Sequence, residues 1–300
     1  MTKERPTVRP VTLGRLVEVT HLCEMESCPT DRIATELEIS QRRARETILE
    51  ALRIELIAAT EPSSDDPTYT TTMTGQTFLG AVRSEQWAQV SSILRTHSPH
   101  YGAFLEALDT IAPAGLDEML ARLEEVEAST PYSYNQTVIE VVGDWAERLG
   151  AIQRNAFSGI YYCVERDDVS EEFPHVLLTT FDELEETAGI NHRQRYVSIP
   201  RLREDVCQQL RCPRRTFDLA LVDLVSENVG RLELAGAPID SGAKDAALGI
   251  KDISLTDEGG LVSTSQSTDE VMAGVEQFGK EYYYLAVHDT DLTFDSGGAR

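Results

Sequence analysis

Between Thr12 and Thr72 the chain is cut into short pieces, and that spacing limits its fold more than any other feature. Leu13, Leu16, Val17 and Leu22 mark one face of a helix from Thr12 to Met25. Ser27-Cys28-Pro29-Thr30 breaks it, and Thr30 caps a second helix that carries Ile33, Ala34 and Leu37. A tight turn at Glu38-Ile39 leads to Ser40, which caps a third helix running to about Ile54. Strands at Leu56–Thr60 and Thr68–Thr72 follow, joined by a turn from Glu61 to Pro67, and Thr74-Gly75 opens a further helix. Helices this short do not hold alone in water. They must share a small core closed by the hairpin, so the expected class is mainly α with small β-hairpins, an α+β chain.

At 100° per residue, Ala44, Ile48, Leu49 and Leu52 of the third helix fall on one face. Arg42, Arg43, Glu46, Glu50 and Arg53 fall on the other and are expected to face solvent. The helix after Thr74-Gly75 spaces Phe78, Val82, Trp87, Val90 and Leu94 over residues 76–96. That stripe would either cover the core of residues 1–96 or join two copies of the chain as a homodimer.

The same order returns twice. Residues 97–165 hold helices at Tyr101–Ile111, Leu116–Val126 and Tyr134–Leu149, then a hairpin of Ala151–Asn155 and Ile160–Val164. Residues 166–190 read as an acidic linker with a short helix, Phe181–Ala188. Residues 191–268 hold a strand at Tyr196–Ile199, a helix from Pro200 to Leu210 and a helix from Pro213 to Val229. Arg231–Leu234 and Ala247–Ser254 are expected to form the hairpin of this third copy, around a loop from Gly236 to Lys244, with Leu261–Ser265 as an added strand. Residues 269–300 form a tail with an aromatic strand, Tyr282–Val287.

Helix, helix, turn, helix, hairpin, helix is the order of a winged helix-turn-helix, and residues 11–96 resemble that superfamily, as found in many bacterial and archaeal transcription regulators. The carriers are Ser27–Leu37 as second helix, Ser40–Ile54 as recognition helix, Leu56–Thr72 as wing and Thr74-Gly75-Gln76 after it. The resemblance implies tandem winged-helix domains and double-stranded DNA as partner. A recognition helix enters the major groove and meets base edges with its N-terminal residues. Ser40, Gln41, Arg42, Arg43, Glu46 and Arg53 are the candidate contacts; arginine pairs with guanine and glutamine suits adenine. In the last copy Arg211, Arg214 and Arg215 cluster at the corresponding helix start. Leu219 and Val222 on that helix's outer face suit a protein partner instead, and the two roles stand side by side for this copy.

Charge sharpens where to look. The 300 residues carry a formal charge of −24, and of 27 basic residues only 4 are Lys. Such a surface is expected of a protein working in molar salt, where repulsion is screened over about 3 Å. The average hides unlike segments: residues 1–53 are neutral, 54–190 carry −18, 191–231 carry +3 and 232–300 carry −9. The outer face of helix 134–149, with Glu140, Asp144 and Glu147, repels phosphate, so the second copy is expected to be structural or partner-binding.

Catalytic signatures are thin. The chain has no G-x-S-x-G, G-x-x-x-x-G-K-[ST] or G-x-G-x-x-G. No Lys follows an acidic residue at two positions, and no His precedes a Lys at two, which excludes two nuclease motifs. We expect no enzyme, no cofactor and no metal. His21, Cys23 and Cys28, the C-x4-C pair Cys207 and Cys212, His97 with His100, and His288 with Asp289 and Asp291 lack the paired clusters of zinc sites. Five cysteines, an odd count, fit a reducing cytoplasm, and no apolar run approaches a membrane span. The expected function is a transcription regulator or the DNA-binding subunit of a larger complex. The alternative is a winged-helix scaffold binding protein subunits.

Overall fold

A computed structural model of the protein describes residues 6–60, 67–127, 130–165, 168–188, 196–236, 250–254, 263–267 and 269–294. It is mainly helical with small antiparallel sheets, an α+β chain. It forms two compact units: Met1–Ile152 with Lys251–Ser265, and Gln153–Ile250 with Gln266–Arg300. No helix among the described residues is long and apolar enough to cross a membrane.

The first unit begins with α1 (Leu13–Met25), β1 (Cys28–Pro29), α2 (Thr30–Glu36), α3 (Gln41–Arg53), β2 (Ile57–Ala59) and β3 (Thr68–Thr71). Thr12 caps α1 by accepting from Arg15 N, and Ser40 caps α3 by accepting from Arg43 N. The break at Cys28-Pro29 is a short strand, which the sequence reading missed. It lies at the edge of a sheet ordered β1-β3-β2, where proline is tolerated. Leu13, Leu16, Val17, Ile33, Ala44, Ile48, Ala51 and Ile54 fill the core beneath. Most of the turn expected at 61–67 lies outside the described residues.

Five further helices follow in this unit: α4 (Met73–Arg83), α5 (Trp87–His97), α6 (Pro99–Ile111), α7 (Leu116–Glu127) and α8 (Gln136–Arg148); α4 and α8 are capped by Thr72 and Asn135, and α6 starts on a proline. Gly75 in α4 is required by close approach, since a Cβ there would lie 2.1 Å from the Leu56 carbonyl oxygen. The single helix expected over 76–96 is two helices, broken at Glu85 with its left-handed φ of 52°. Of the expected stripe, Phe78, Val82, Val90 and Leu94 are buried within the unit as core, and Trp87 is half-buried. The division expected at residue 97 is no division in packing. α5 packs on α6, and the buried Trp145 Nε1 donates to the Val11 carbonyl at 2.9 Å.

Around the boundary lies the hairpin of β4 (Ile152–Arg154) and β5 (Tyr161–Cys163). The second unit continues with α9 (Phe173–Ala188), β6 (Tyr196–Ser198), α10 (Ile199–Leu210), α11 (Arg214–Glu227) and β7 (Leu232–Ala235). Next along the chain come β8 (Ile250–Ser254) and β9 (Ser263–Ser267), most of whose residues belong to the first unit; α12 (Asp269–Met272), β10 (Val275–Gln277), β11 (Lys280–Tyr282) and β12 (Tyr284–Val287) then complete the second. α9 starts eight residues before the helix expected at Phe181, because Phe173, Leu177 and Phe181 recur every fourth residue and all enter the core.

The last hairpin is also corrected. β7 does not pair with the strand near 250; β8 and β9 pair with each other. β7 pairs with β12, which also pairs with β6, placing Leu285 opposite both Val197 and Leu234. Leu285, Ala286 and Val287 are all buried, as a central strand requires, so the tail strand is the middle of the sheet. Beyond Gly236, the loop expected to Lys244 lies outside the described residues.

Both units thus contain the order α-β-α-α-β-β with a sheet running first, third, second strand. In one unit these are α1, β1, α2, α3, β2 and β3; in the other α9, β6, α10, α11, β7 and β12. Eight residues separate the last two strands in the first copy and 48 in the second.

Candidate nucleic-acid interface

The first turn of α3 is held by its Ser40 cap, which accepts from Arg43 N at 3.3 Å. From there the helix sends Gln41, Arg42, Arg43 and Arg45 into solvent. The Arg42 side chain is 89% exposed, and its Nε lies 3.3 Å from Glu46 Oε1 one turn on. Among the described residues, Arg43 and Arg45 join no ion pair. Three guanidiniums against one carboxylate leave this helix end positive in a chain of −24. Arg42, Arg45, Glu46 and Leu49 form one stripe along the helix. Leu49 is 46% exposed, although the helical wheel had put it in the core.

The C-terminal half of α3 behaves in the opposite way. Glu50 and Arg53, expected on the outer face, turn inward. The Glu50 side chain is fully buried and that of Arg53 is 6% exposed, and the two form an ion pair. Arg9 N donates to Glu50 Oε2 at 3.1 Å. Arg53 also donates to His100 Nδ1 at 2.8 Å, and His100 Nε2 donates to the Pro6 carbonyl at 2.9 Å. Burial, reinforced by the Arg53 charge, lowers the His100 pKa to about 4, so the imidazole is neutral. Segment 6–9 and α6 cover this side of α3, which removes Arg53 from any surface role.

In the second unit the expected arginine cluster is taken apart. Arg211 is the left-handed C-cap of α10, and its guanidinium pairs with Glu165. The Arg214 side chain is 14% exposed; it pairs with the fully buried Glu204 and donates to the Arg154 carbonyl at 2.8 Å. Arg215 alone of the three is exposed. The loop between β4 and β5 lies across α10. Asn155 Nδ2 donates to Asp205 and Gln208 at 2.9 Å each, and Ala156 N donates to Glu204 at 2.8 Å. The Arg201 guanidinium lies 4.9 Å from the Phe157 ring centre, in cation–π range.

Leu219 is 56% exposed on α11, whereas Val222 is half-buried against the unit's core and offers little free surface. Of the three carboxylates on α8, Glu140 is exposed, while Asp144 and Glu147 are half-buried and Asp144 accepts from Arg148 at 3.2 Å. His97 bonds Glu55 at 2.9 Å, whereas His100 bonds Arg53 and the Pro6 carbonyl, so the two histidines have different partners. Among the described residues no three His, Cys, Asp or Glu side chains gather as a metal set.

The buried network could not be read from the sequence: Arg53 and His100 are 47 residues apart, and neither sits in a local motif. The exposed Leu49 had a weak signal, since Ala44, Ile48 and Ala51 already fill the narrow inner face of α3. No family model, curated protein or solved structure matches the chain.

Proposed function

We propose that this is a tandem winged-helix protein that binds double-stranded DNA with α3 and serves as a transcription regulator or as the DNA-binding subunit of a larger complex. One observation carries the reading: Arg42, Arg43 and Arg45 stand exposed at the capped N-terminus of the third helix of an α-β-α-α-β-β unit. Arginines in that position reach guanine edges, and the helix N-terminus favours phosphate. Leu49, two turns from Arg42, would meet a thymine methyl. The connection between β2 and β3 adds little, because Glu61, Asp65 and Asp66 place three carboxylates in it. The protein works in the cytoplasm of a salt-adapted organism, where screening shrinks the phosphate contribution and base contacts carry more of the affinity. No catalytic step, cofactor or metal belongs to this reading.

The test is selection from a random duplex library in molar KCl, followed by titration of the selected duplex. Wild type enriches a defined sequence, and Arg42→Ala with Arg43→Ala abolishes the enrichment. Failure of the wild type to enrich any sequence ends the proposal. A second reading, a scaffold for protein subunits, is favoured by the exposed Leu219 and by the 153–163 hairpin covering α10. It predicts a stoichiometric partner that co-purifies with wild type and is lost with Leu219→Asp.

A further inference from the structure

The turn between α10 and α11 holds two cysteines in an arrangement that nothing in the DNA reading uses. Cys207 lies in the last turns of α10, and Cys212 lies two residues before α11 begins. Both are buried and reduced, and their Sγ atoms share a hydrogen bond at 4.0 Å. The backbone is already folded for closer contact. Arg211 adopts the left-handed conformation at φ 52°, and Cys212 N donates to the Cys207 carbonyl at 3.2 Å. That is the six-to-one bond of a Schellman turn, which brings the two backbones together. A disulfide needs sulfurs about 2.05 Å apart, so closing the pair takes a sulfur movement of roughly 2 Å from the 4.0 Å separation.

We propose that Cys207 and Cys212 are a redox modification site, oxidised by a hydroperoxide to a reversible disulfide across the α10–α11 turn. Cys212 is the attacking thiolate. Its sulfur bonds one peroxide oxygen, the O–O bond breaks, and the other oxygen leaves as water, giving a sulfenic acid on Cys212. Cys207 then attacks that sulfur, the S–S bond forms, and the hydroxyl leaves as a second water with the Cys207 proton. Two thiols and one hydrogen peroxide become one disulfide and two waters.

The assignment of roles follows from position. Cys212 stands at the N-terminal side of α11, a 14-residue helix whose dipole favours an anion. The hydrogen bond shared with Cys207 holds the Cys212 thiol below its ordinary range, while burial pushes the Cys207 thiol well above. The turn also has a job: the Arg211 carbonyl accepts from Glu165 N at 2.9 Å, and its guanidinium pairs with the Glu165 carboxylate. A bridge beneath Arg211 fixes the clasp that ties the segment after β5 to this turn. Transient bridges of this kind are the usual form of a disulfide in a reducing cytosol.

The experiment treats the full-length protein with hydrogen peroxide, blocks remaining thiols with iodoacetamide and digests with trypsin. Trypsin cuts after Arg211, so the two cysteines leave on separate peptides unless bridged. The expected result is a linked pair, two hydrogen masses below the sum, that separates on reduction. In Cys207→Ser the resolving thiol is gone, and dimedone should trap a sulfenic acid on Cys212. Recovery of both peptides singly alkylated, or a link from either to Cys23, Cys28 or Cys163, overturns the proposal. Absence of a dimedone adduct in the folded variant overturns the order of the two thiols. Neither readout depends on DNA binding.

Discussion

α3 and α11 hold the same place in two copies of one element order, and both open on arginines, yet the two starts have opposite fates. α3 is capped by a serine and sends Arg42, Arg43 and Arg45 into solvent. α11 is preceded by Pro213, with no side-chain cap, and Arg214 at its first position turns onto the buried Glu204 and the Arg154 carbonyl. The difference comes from what else the chain lays over the helix pair. In the second unit the β4–β5 loop covers α10, and the Arg154 carbonyl at the end of β4 takes Arg214. In the first unit the comparable covering falls on the other end of α3, where segment 6–9 and α6 take Glu50 and Arg53 inward. A cluster of arginines at a helix start is therefore a surface in one unit and an internal joint in the other.

The largest effect that could break this contrast is on stability. Arg214→Ala leaves the Glu204 carboxylate buried without its counter-charge, at a cost of about 3–5 kcal/mol in urea denaturation. Arg42→Ala should change stability by less than about 0.5 kcal/mol. Equal costs would mean that the two arginines share one environment. Acid probes the α3 side next. The His100 pKa in the folded protein, about 4, lies below the ordinary 6.5, so the unfolded chain takes up the proton first. The contribution of His100 is full above about pH 6.5 and is lost as pH falls toward 4, amounting to about 3 kcal/mol. His100→Gln should flatten that slope, measured as denaturation midpoint against pH.

Smaller effects sharpen the surface half of the contrast. Arg42→Ala and Arg43→Ala should each weaken binding of a selected duplex by about 1–3 kcal/mol, read by fluorescence anisotropy in molar KCl. Arg215→Ala, the exposed arginine of α11, should leave that binding within about 0.5 kcal/mol. Smallest of all is Leu219→Asp, which should leave the urea midpoint nearly unchanged, since Leu219 is already more than half exposed. A large loss of stability there would show that Leu219 packs internally.

Most helices were legible because each carries its own period, cap or break. α1, α3, α6, α7, α8, α10 and α11 lie within a few residues of the stretches read from apolar spacing. The wheel for α3 failed at Leu49, Glu50 and Arg53 because it assumed a single buried face, whereas two different sides of this helix are covered at its two ends. The hairpin after α11 failed because strand pairing is not local. Nothing between Arg231 and Ser265 says that the partner of β7 is Tyr284–Val287, 48 residues on. The continuous helix over 76–96 failed at Glu85, a residue type that seldom adopts positive φ and gives no warning when it does.

By itself the sequence determined the α+β class, the recurrence of short capped helices with small strands, and the two neutral or basic stretches in an acidic chain. These rest on interactions within a few residues, or on composition. Only the tertiary structure decided which charges are surface, which strand is central and where one unit ends. Those depend on what distant segments cover, and burial decides whether a guanidinium faces water or must be paired.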